Sequence, residues 1–207
     1  MEIPFHFTFA QLISLYVTLL ALVNPFQKIF VMLSLEKQLD AVDRRYIALK
    51  SNLIALIILL FFLTLGNVVF AYVFNIQLYA FRLTCGLVLL YNGFIALHNG
   101  ILIKIDTQTR LNDIAAVPIA LPMIAGPGTI TAVVTLPQQE GVVVTILAIL
   151  AVVITNTLVM LYAQHIGKIL NKLNLMSPMI RILGLIIATV GVQMCFSGLK
   201  EFIELLP

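Results

Sequence analysis

The stretch PMIAGPGTITAVV, residues 122–134, decides the fold, because it interrupts an apolar run with two prolines and two glycines. Unpaired main-chain groups are costly in lipid, so such an interruption is tolerated only against other protein or a water-filled cavity. Pro127 directly follows Gly126, and proline is favoured at the first position of a new helix. The stretch therefore predicts a broken transmembrane helix whose break is either a packing feature or part of a binding site.

The composition predicts a membrane protein that crosses the bilayer several times. Of the 207 residues, 61% are hydrophobic and only 10% are charged, which is more apolar surface than a soluble domain of this size needs. The net charge of +3 is small and forms no basic stripe with interleaved aromatic residues, which argues against nucleic-acid binding. No nucleotide-binding motif, metal-ligand spacing or Ser–His pair stands out, so we expect neither an enzyme nor a bound metal or cofactor.

Six segments are long and apolar enough to cross a bilayer, which requires roughly 20 residues of helix. They are 7–35, 46–74, 79–103, 114–136, 141–163 and 180–203.

The connections between the segments differ in charge. Those at 36–45, 104–113 and 164–179 together carry seven lysines and arginines, whereas 75–78 and 137–140 carry none. Basic connections stay in the cytoplasm under the positive-inside rule. This bias predicts that both termini are extracytoplasmic.

Glycines recur at a spacing of seven in the third and sixth segments. The two triplets lie 98 positions apart: Gly86, Gly93 and Gly100, then Gly184, Gly191 and Gly198. Small residues at this spacing predict close helix packing in the membrane. A smooth face on which the two halves slide during a conformational cycle is a second interpretation.

The repetition extends to the breaks. Asn24-Pro25 in the first segment stands 102 positions before Gly126-Pro127 in the fourth. We therefore predict a single membrane domain, 1–207, built from two three-helix repeats, 1–103 and 114–207. Because three is odd, the second repeat is inverted, as in many secondary transporters. The predicted fold is thus all-α, with six transmembrane helices in two inverted repeats and with helices 1 and 4 broken.

The two breaks predict a binding site near the middle of the membrane. Asparagine followed by proline is typical of a helix start, as is the Gly-Pro-Gly of residues 126–128, with Thr129 and Thr131 following within one turn. Free N–H groups and the positive end of each helix dipole favour a carboxylate at Asn24, Pro25 and the 126–128 turn. Carbonyls just before each break, with a threonine hydroxyl, would receive an ammonium group. The alternative is a pair of proline kinks satisfied by neighbouring helices.

Other intramembrane polar residues are weaker candidates. Lys28 is expected to extend toward the cytoplasmic interface, although it could add positive charge near a bound carboxylate. Arg82 and Arg181 are expected to anchor at the membrane edges, with gating ion pairs as the alternative. Asn92 and Gln193 are expected to form interhelical hydrogen bonds, and they stand close enough to the central glycines to serve as secondary substrate contacts.

Three features together carry a family resemblance: Asn24-Pro25, the stretch PIALPMIAGPGTI at 118–130, and the Arg-led, glycine-rich third and sixth segments. The chain resembles the MarC family, also called the small neutral amino acid transporter family, over nearly its whole length. The resemblance implies a six-helix inner-membrane protein, and for some members it implies transport of glycine, alanine or related amino acids.

These observations favour a secondary transporter that moves small neutral amino acids by alternating access. A passive channel or an exporter of other small metabolites is the alternative. All nine acidic residues lie in loops or at segment ends, so we expect no dedicated buried acid. A coupling ion, Na⁺ or H⁺, and facilitated diffusion without one both remain open, as does a homo-oligomer. The partners expected are thus the amino acid and the lipid bilayer, without nucleic acid.

Overall fold

The regular secondary structure is all helical in the part of the chain that the computed structural model describes, residues 8–35, 38–68, 77–100, 110–172 and 176–204. The elements in chain order are α1 (Phe9–Val23), α2 (Pro25–Leu35), α3 (Ala41–Val68), α4 (Leu78–Asn99), α5 (Leu111–Ile114), an irregular helical stretch (Ala115–Ile124), α6 (Pro127–Glu140), α7 (Val142–Lys172) and α8 (Met176–Glu204).

Five helical spans are long and apolar enough to cross a membrane within the described ranges. The bent pair Leu111–Ile124 and Pro127–Glu140 would make a sixth if it counts as one span. These spans coincide with the six predicted segments. The observed helix ends differ from the predicted segment ends where charged residues extend a helix. For example, α3 begins at Ala41 because Asp40 caps it, and Oδ1 of Asp40 accepts the main-chain N–H of Asp43 at 2.8 Å.

The first break is a single residue wide. Asn24 adopts the left-handed conformation (φ 50°, ψ 72°), and its N–H bonds to the Leu20 carbonyl at 2.9 Å to close α1. Its carbonyl and its side-chain Oδ1 then accept the N–H of Gln27 at 3.1 and 3.4 Å. Asn24 therefore ends one helix and caps the next, which Pro25 opens. The predicted break in the first span is confirmed.

The second break is wider because prolines act on the residues before them. Val117 and Leu121 are extended rather than helical (φ −133° and −124°), and each precedes a proline, whose ring disfavours helical backbone at the preceding residue. Gly126 then caps α6 in an extended conformation, and Pro127 is its first residue. The two arms of this span meet at a bend of 58°. The predicted break in the fourth segment is also confirmed.

The glycines of α4 and α8 bring the two helices into main-chain contact. A Cβ added to Gly86 would lie 2.8 Å from the Gly191 carbonyl, and one added to Gly184 would lie 2.8 Å from the Gly93 carbonyl. The helices therefore run in opposite directions, and the predicted close packing is confirmed. Gly100 differs from the others, because it is the left-handed C-cap of α4 (φ 66°).

The remaining spans pack around α3 and α7. Helices α1 and α2 lie against α7, whereas the irregular stretch and α6 lie against α3. The two central helices also contact each other, and there the buried amides of Asn52 and Asn156 are hydrogen-bonded at 2.8 Å. Both breaks are thus held beside the central pair of helices.

Candidate functional site

A cavity of about 320 Å³ lies where the two breaks meet α4 and α8. Its polar wall contains residues of both breaks, although 102 positions separate Asn24 from Gly126. The first break contributes Asn24 and Gln27, and the second contributes Gly126, Pro127, Gly128 and Thr129. Five of the seven substrate-binding residues predicted from the sequence therefore line one cavity.

The wall from α8 is largely apolar. Ile186, Ile187, Val190 and Met194 form most of it, and polar groups come from Gln193 and Ser197. Gln193, predicted as a secondary contact, thus lines the cavity. Asn92, the corresponding candidate on α4, is half-buried and is not among the described residues that line it.

Two predicted contacts lie just outside the cavity. Pro25 is buried at the start of α2, directly after the lining residue Asn24. Thr131 lies two residues after Thr129, the last described residue of α6 that lines the cavity, and its hydroxyl accepts a hydrogen bond from Arg82 at 3.4 Å. Thr129, which does line the cavity, donates its hydroxyl hydrogen to the Ile124 carbonyl at 3.2 Å. Thr129 therefore stabilises the second break, and Thr131 joins α6 to Arg82 on α4.

Lys28 does not extend toward the interface, so that prediction is wrong. Its side chain is completely buried. The ammonium donates to the carbonyls of Val23 and Met123, each at 2.5 Å, and to Oε1 of Gln27 at 3.3 Å. The carbonyls that were expected to receive a substrate ammonium therefore hold that of Lys28.

The direction of helical side chains explains this burial. Side chains in a helix point toward its N-terminus, and Lys28 lies one turn into α2, which begins at the break. Its long stem therefore runs back to the break instead of forward to the end of the span. Carbonyls at a helix C-terminus have no intrahelical donor, so the end of α1 presents an acceptor at the position that the ammonium reaches.

Arg82 lies at the cavity and not only at a membrane edge. Its guanidinium forms an ion pair with Glu201 at 3.0 Å and also donates to Thr131. The two side chains of the ion pair are 23% and 36% exposed. Arg82 thus links α4 to α6 and α8 beside the cavity.

Arg181 has a different environment. Its guanidinium donates to the Leu97 carbonyl at 2.8 Å, near the end of α4, where Gly100 caps the helix. A cation at a helix C-terminus satisfies carbonyls that lack helical donors. Arg181 is not among the described residues that line the cavity. Its contact is therefore a cap between α8 and α4, remote from the two breaks.

The charge of the cavity is balanced. Among the described residues that line it, Arg82 alone is charged, and Glu201 pairs with it. Within the same ranges, histidine, cysteine and acidic side chains form no group of three that could hold a metal ion. Because α2 and α6 both begin at its wall, the cavity lies at the positive dipole ends of two helices.

Comparison with known proteins places the chain in a family. A family profile described as MarC family integral membrane protein matches residues 9–203. The chain belongs to the MarC family. The resemblance predicted from Asn24-Pro25 and the stretch 118–130 is confirmed. Both breaks and the whole cavity lie inside the matched region.

Relatives of this MarC family chain align over nearly its full length. A UPF0056 membrane protein of Pyrococcus horikoshii is 33% identical over 188 residues, which cover 91% of this chain and 93% of the relative. One from Aquifex aeolicus is 31% identical over 204 residues, covering 93% and 94%. The UPF0056 membrane protein YvbG of Bacillus subtilis is 29% identical over 209 residues, covering 96% and 98%. No solved structure matches the chain.

Sequence reasoning missed two groups of this candidate site. Glu201 was treated as a residue at a segment end, and nothing in the sequence pairs it with Arg82, which lies on a different predicted segment. Met123 had a detectable signal: its carbonyl would accept from the N–H of residue 127 in a continuous helix, and residue 127 is a proline. An acceptor without a donor could therefore have been predicted there.

Proposed function

We propose that the chain is a secondary transporter that moves small neutral amino acids, such as glycine and alanine, across the inner membrane by alternating access. The observation that carries the proposal is the cavity between the two helix breaks. Its volume of about 320 Å³ lies at the lower end of the range for small-molecule sites, roughly 300–1,000 Å³. This size suits a compact substrate.

The chemistry of the wall suits a zwitterion. Gly128 and Thr129 occupy the first turn of α6, where N–H groups lack intrahelical acceptors and the helix dipole is positive. They would bind a substrate carboxylate. Because Lys28 holds the carbonyls before the breaks, the substrate ammonium would instead meet the side-chain oxygens of Gln193 and Asn24.

The balance of charge sets the substrate class. Arg82 and Glu201 neutralise each other, and no other described lining residue is charged. An amino acid with a charged side chain would therefore enter without a counter-charge. Removing an unpaired charge from water has a high free-energy cost. Apolar residues of α8, such as Ile187 and Val190, suit a hydrogen or methyl side chain.

Contacts between α4 and α8 support the proposed inverted repeat, with units 1–103 and 114–207. Gly86 meets Gly191, and Gly93 meets Gly184. A shift of 98 positions, the spacing of the glycine triplets, converts the first of these contacts into the second. A contact pattern that maps onto itself in this way is expected when two related halves face each other across a pseudo-two-fold axis.

Alternating access then requires the cavity to open to each side in turn. We infer that the Arg82–Glu201 ion pair, together with Thr131, forms one gate. It joins three helices, α4, α6 and α8, so opening that side would separate them. We further propose that both termini are extracytoplasmic, which puts this gate, near the start of α4 and the end of α8, on the outer side.

Uptake by the purified protein in liposomes tests the proposal. Labelled L-alanine should accumulate with saturation, and glycine should compete better than D-alanine or lysine. Protein-free liposomes and an Ile57→Leu variant, changed at a side chain that is 59% exposed, serve as controls. Flux that rises linearly with concentration and ignores stereochemistry would indicate a passive pore instead. Absence of any flux of neutral amino acids would contradict the substrate class.

A further inference from the structure

A cluster of two main-chain oxygens and one side-chain oxygen between the two breaks has the form of a cation site. The carbonyls of Val23 and Met123 and Oε1 of Gln27 surround one point, which Nζ of Lys28 occupies at 2.5, 2.5 and 3.3 Å. Three acceptors match the three N–H donors of an ammonium group.

The breaks themselves make these carbonyls available. In a continuous helix the Met123 carbonyl would accept from residue 127, but Pro127 has no N–H. The Val23 carbonyl would accept from Gln27, whose N–H bonds to Asn24 instead. The Val23 oxygen also lies at the C-terminal end of α1, where the helix dipole is negative. Such carbonyls commonly coordinate Na⁺ at the broken helices of transporters.

The charge at this point has no carboxylate partner among the described ion pairs. Glu201 pairs with Arg82, and Glu204 pairs with Lys200. Lys28 is nevertheless fully buried, and an ammonium in the membrane interior is stable only where protein oxygens replace its hydration. The oxygens of the two breaks supply that replacement.

We propose that these oxygens form a monovalent-cation site and that the ammonium of Lys28 is its permanent occupant, in place of an exchangeable Na⁺. Because Lys28 is covalently attached, the occupant cannot leave during a transport cycle, and this site does not exchange Na⁺. The ammonium also joins Val23 to Met123 across 100 positions of sequence and so ties the two breaks together. The consequence for Na⁺ coupling rests on the proposed transport function. The cation site itself is tested by experiments that do not measure transport.

Removal of the occupant should make the site dependent on an added cation. In Lys28→Ala the oxygens lose their donor, and we expect the midpoint of thermal unfolding in detergent to fall by roughly 5–10 °C. Ethylammonium or Na⁺ should restore at least half of that loss. Tetramethylammonium, which has no N–H and is too large, should not restore it at equal ionic strength. The wild-type midpoint should be the same in all three salts.

Lys200→Ala is the matched control, because it removes a lysine whose side chain is 78% exposed. Its midpoint should stay close to that of the wild type and should not respond selectively to any of the cations. An identical response of Lys28→Ala to all three salts, or no loss of stability in that variant, would overturn the proposal.

A measurement on the unaltered chain covers the case in which Lys28→Ala does not fold. Reductive methylation of the native protein, followed by mass spectrometry, should modify Lys200 at least tenfold faster than Lys28. Equal rates would show that the Lys28 amine is free and would contradict its role as a bound cation. Since neither experiment measures amino acid uptake, a failure of the proposed transport function is distinguishable from a failure of this site.

Discussion

The amide of Asn156 donates a 2.8 Å hydrogen bond to the side-chain carbonyl of Asn52, which lies 104 positions earlier on α3. Both side chains are buried, at 0% and 2% exposure, and both amides also approach the sulfur of Met160. The pair joins the two central helices, against which the two broken spans pack. A polar pair in this position therefore stabilises the arrangement on which the cavity depends.

A double-mutant cycle should measure that pair. Asn52→Ala and Asn156→Ala should each lower stability, and the double variant should lose less than the sum, because each single change already breaks the bond. The coupling free energy should be roughly 0.5–2 kcal/mol, measured by unfolding in detergent. Additive effects would mean that the two amides act independently.

The glycine contacts of α4 and α8 predict a cost for even one methyl group. Gly191→Ala would place a Cβ 2.6 Å from the Gly86 carbonyl, so we expect a loss of about 1–3 kcal/mol from overpacking. Val192→Ala, at a neighbouring side chain that is 37% exposed, should change stability by less than half as much. A rise in the unfolding midpoint of Gly191→Ala, as helix propensity alone predicts, would contradict this close packing.

The two glycines of the second break should respond differently. A Cβ on Gly126 would lie 2.6 Å from the Pro122 carbonyl, whereas one on Gly128 would meet only Leu22 Cδ2, at 3.4 Å. Gly126→Ala should therefore destabilise the fold. Gly128→Ala should leave the unfolding midpoint nearly unchanged and weaken alanine uptake about tenfold, equivalent to about 1.4 kcal/mol, because the methyl group enters the cavity. Unchanged uptake kinetics in Gly128→Ala would indicate that the substrate binds elsewhere.

Asn24 allows its backbone and side-chain roles to be separated. Asn24→Gly removes the side-chain amide but keeps access to the left-handed conformation at φ 50°. Asn24→Leu removes the amide and also disfavours that conformation. We expect lower uptake in both variants, and a lower unfolding midpoint chiefly in Asn24→Leu. If Asn24→Gly transports alanine as the wild type does, the side chain serves the cap alone.

The proposed outer gate predicts a charge-reversal rescue. Arg82→Glu and Glu201→Arg should each reduce the transport rate by severalfold, because like charges replace an ion pair at 3.0 Å. The combined swap should recover much of the rate. Stability should change by no more than about 1 kcal/mol, since the pair is partly exposed. Failure of the swap to recover any activity would assign Arg82 to substrate binding instead of gating.

The orientation of the chain is testable by reporter fusion. A reporter inserted in the basic connection 104–113 should be cytoplasmic, and one fused after Pro207 should be extracytoplasmic, as the positive-inside rule predicts. Most of this connection and the C-terminal residue lie outside the described residues. Both reporters on one side would exclude six spans and an inverted repeat.

The spans and both breaks could be predicted from the sequence because their causes are local. A span needs an uninterrupted apolar length, which hydropathy measures directly, and a break needs only the missing N–H of Pro25 or Pro127 and a suitable cap before it. Gly86 and Gly191 likewise predicted close packing, because a missing side chain matters wherever the partner helix lies. Helix ends were less accurate, because charged residues such as Asp43 continue α3 beyond its apolar part.

Which groups meet across the breaks was decided by tertiary structure alone. A lysine near a helix start can reach water or turn back over the preceding turn, and Lys28 turns back because packing brings the Met123 carbonyl, 95 positions away, within 2.5 Å. The Arg82–Glu201 pair depends in the same way on how α4 and α8 align. Long polar side chains have several accessible positions of similar energy. The sequence determines which groups need partners, and only packing determines which partner lies within reach.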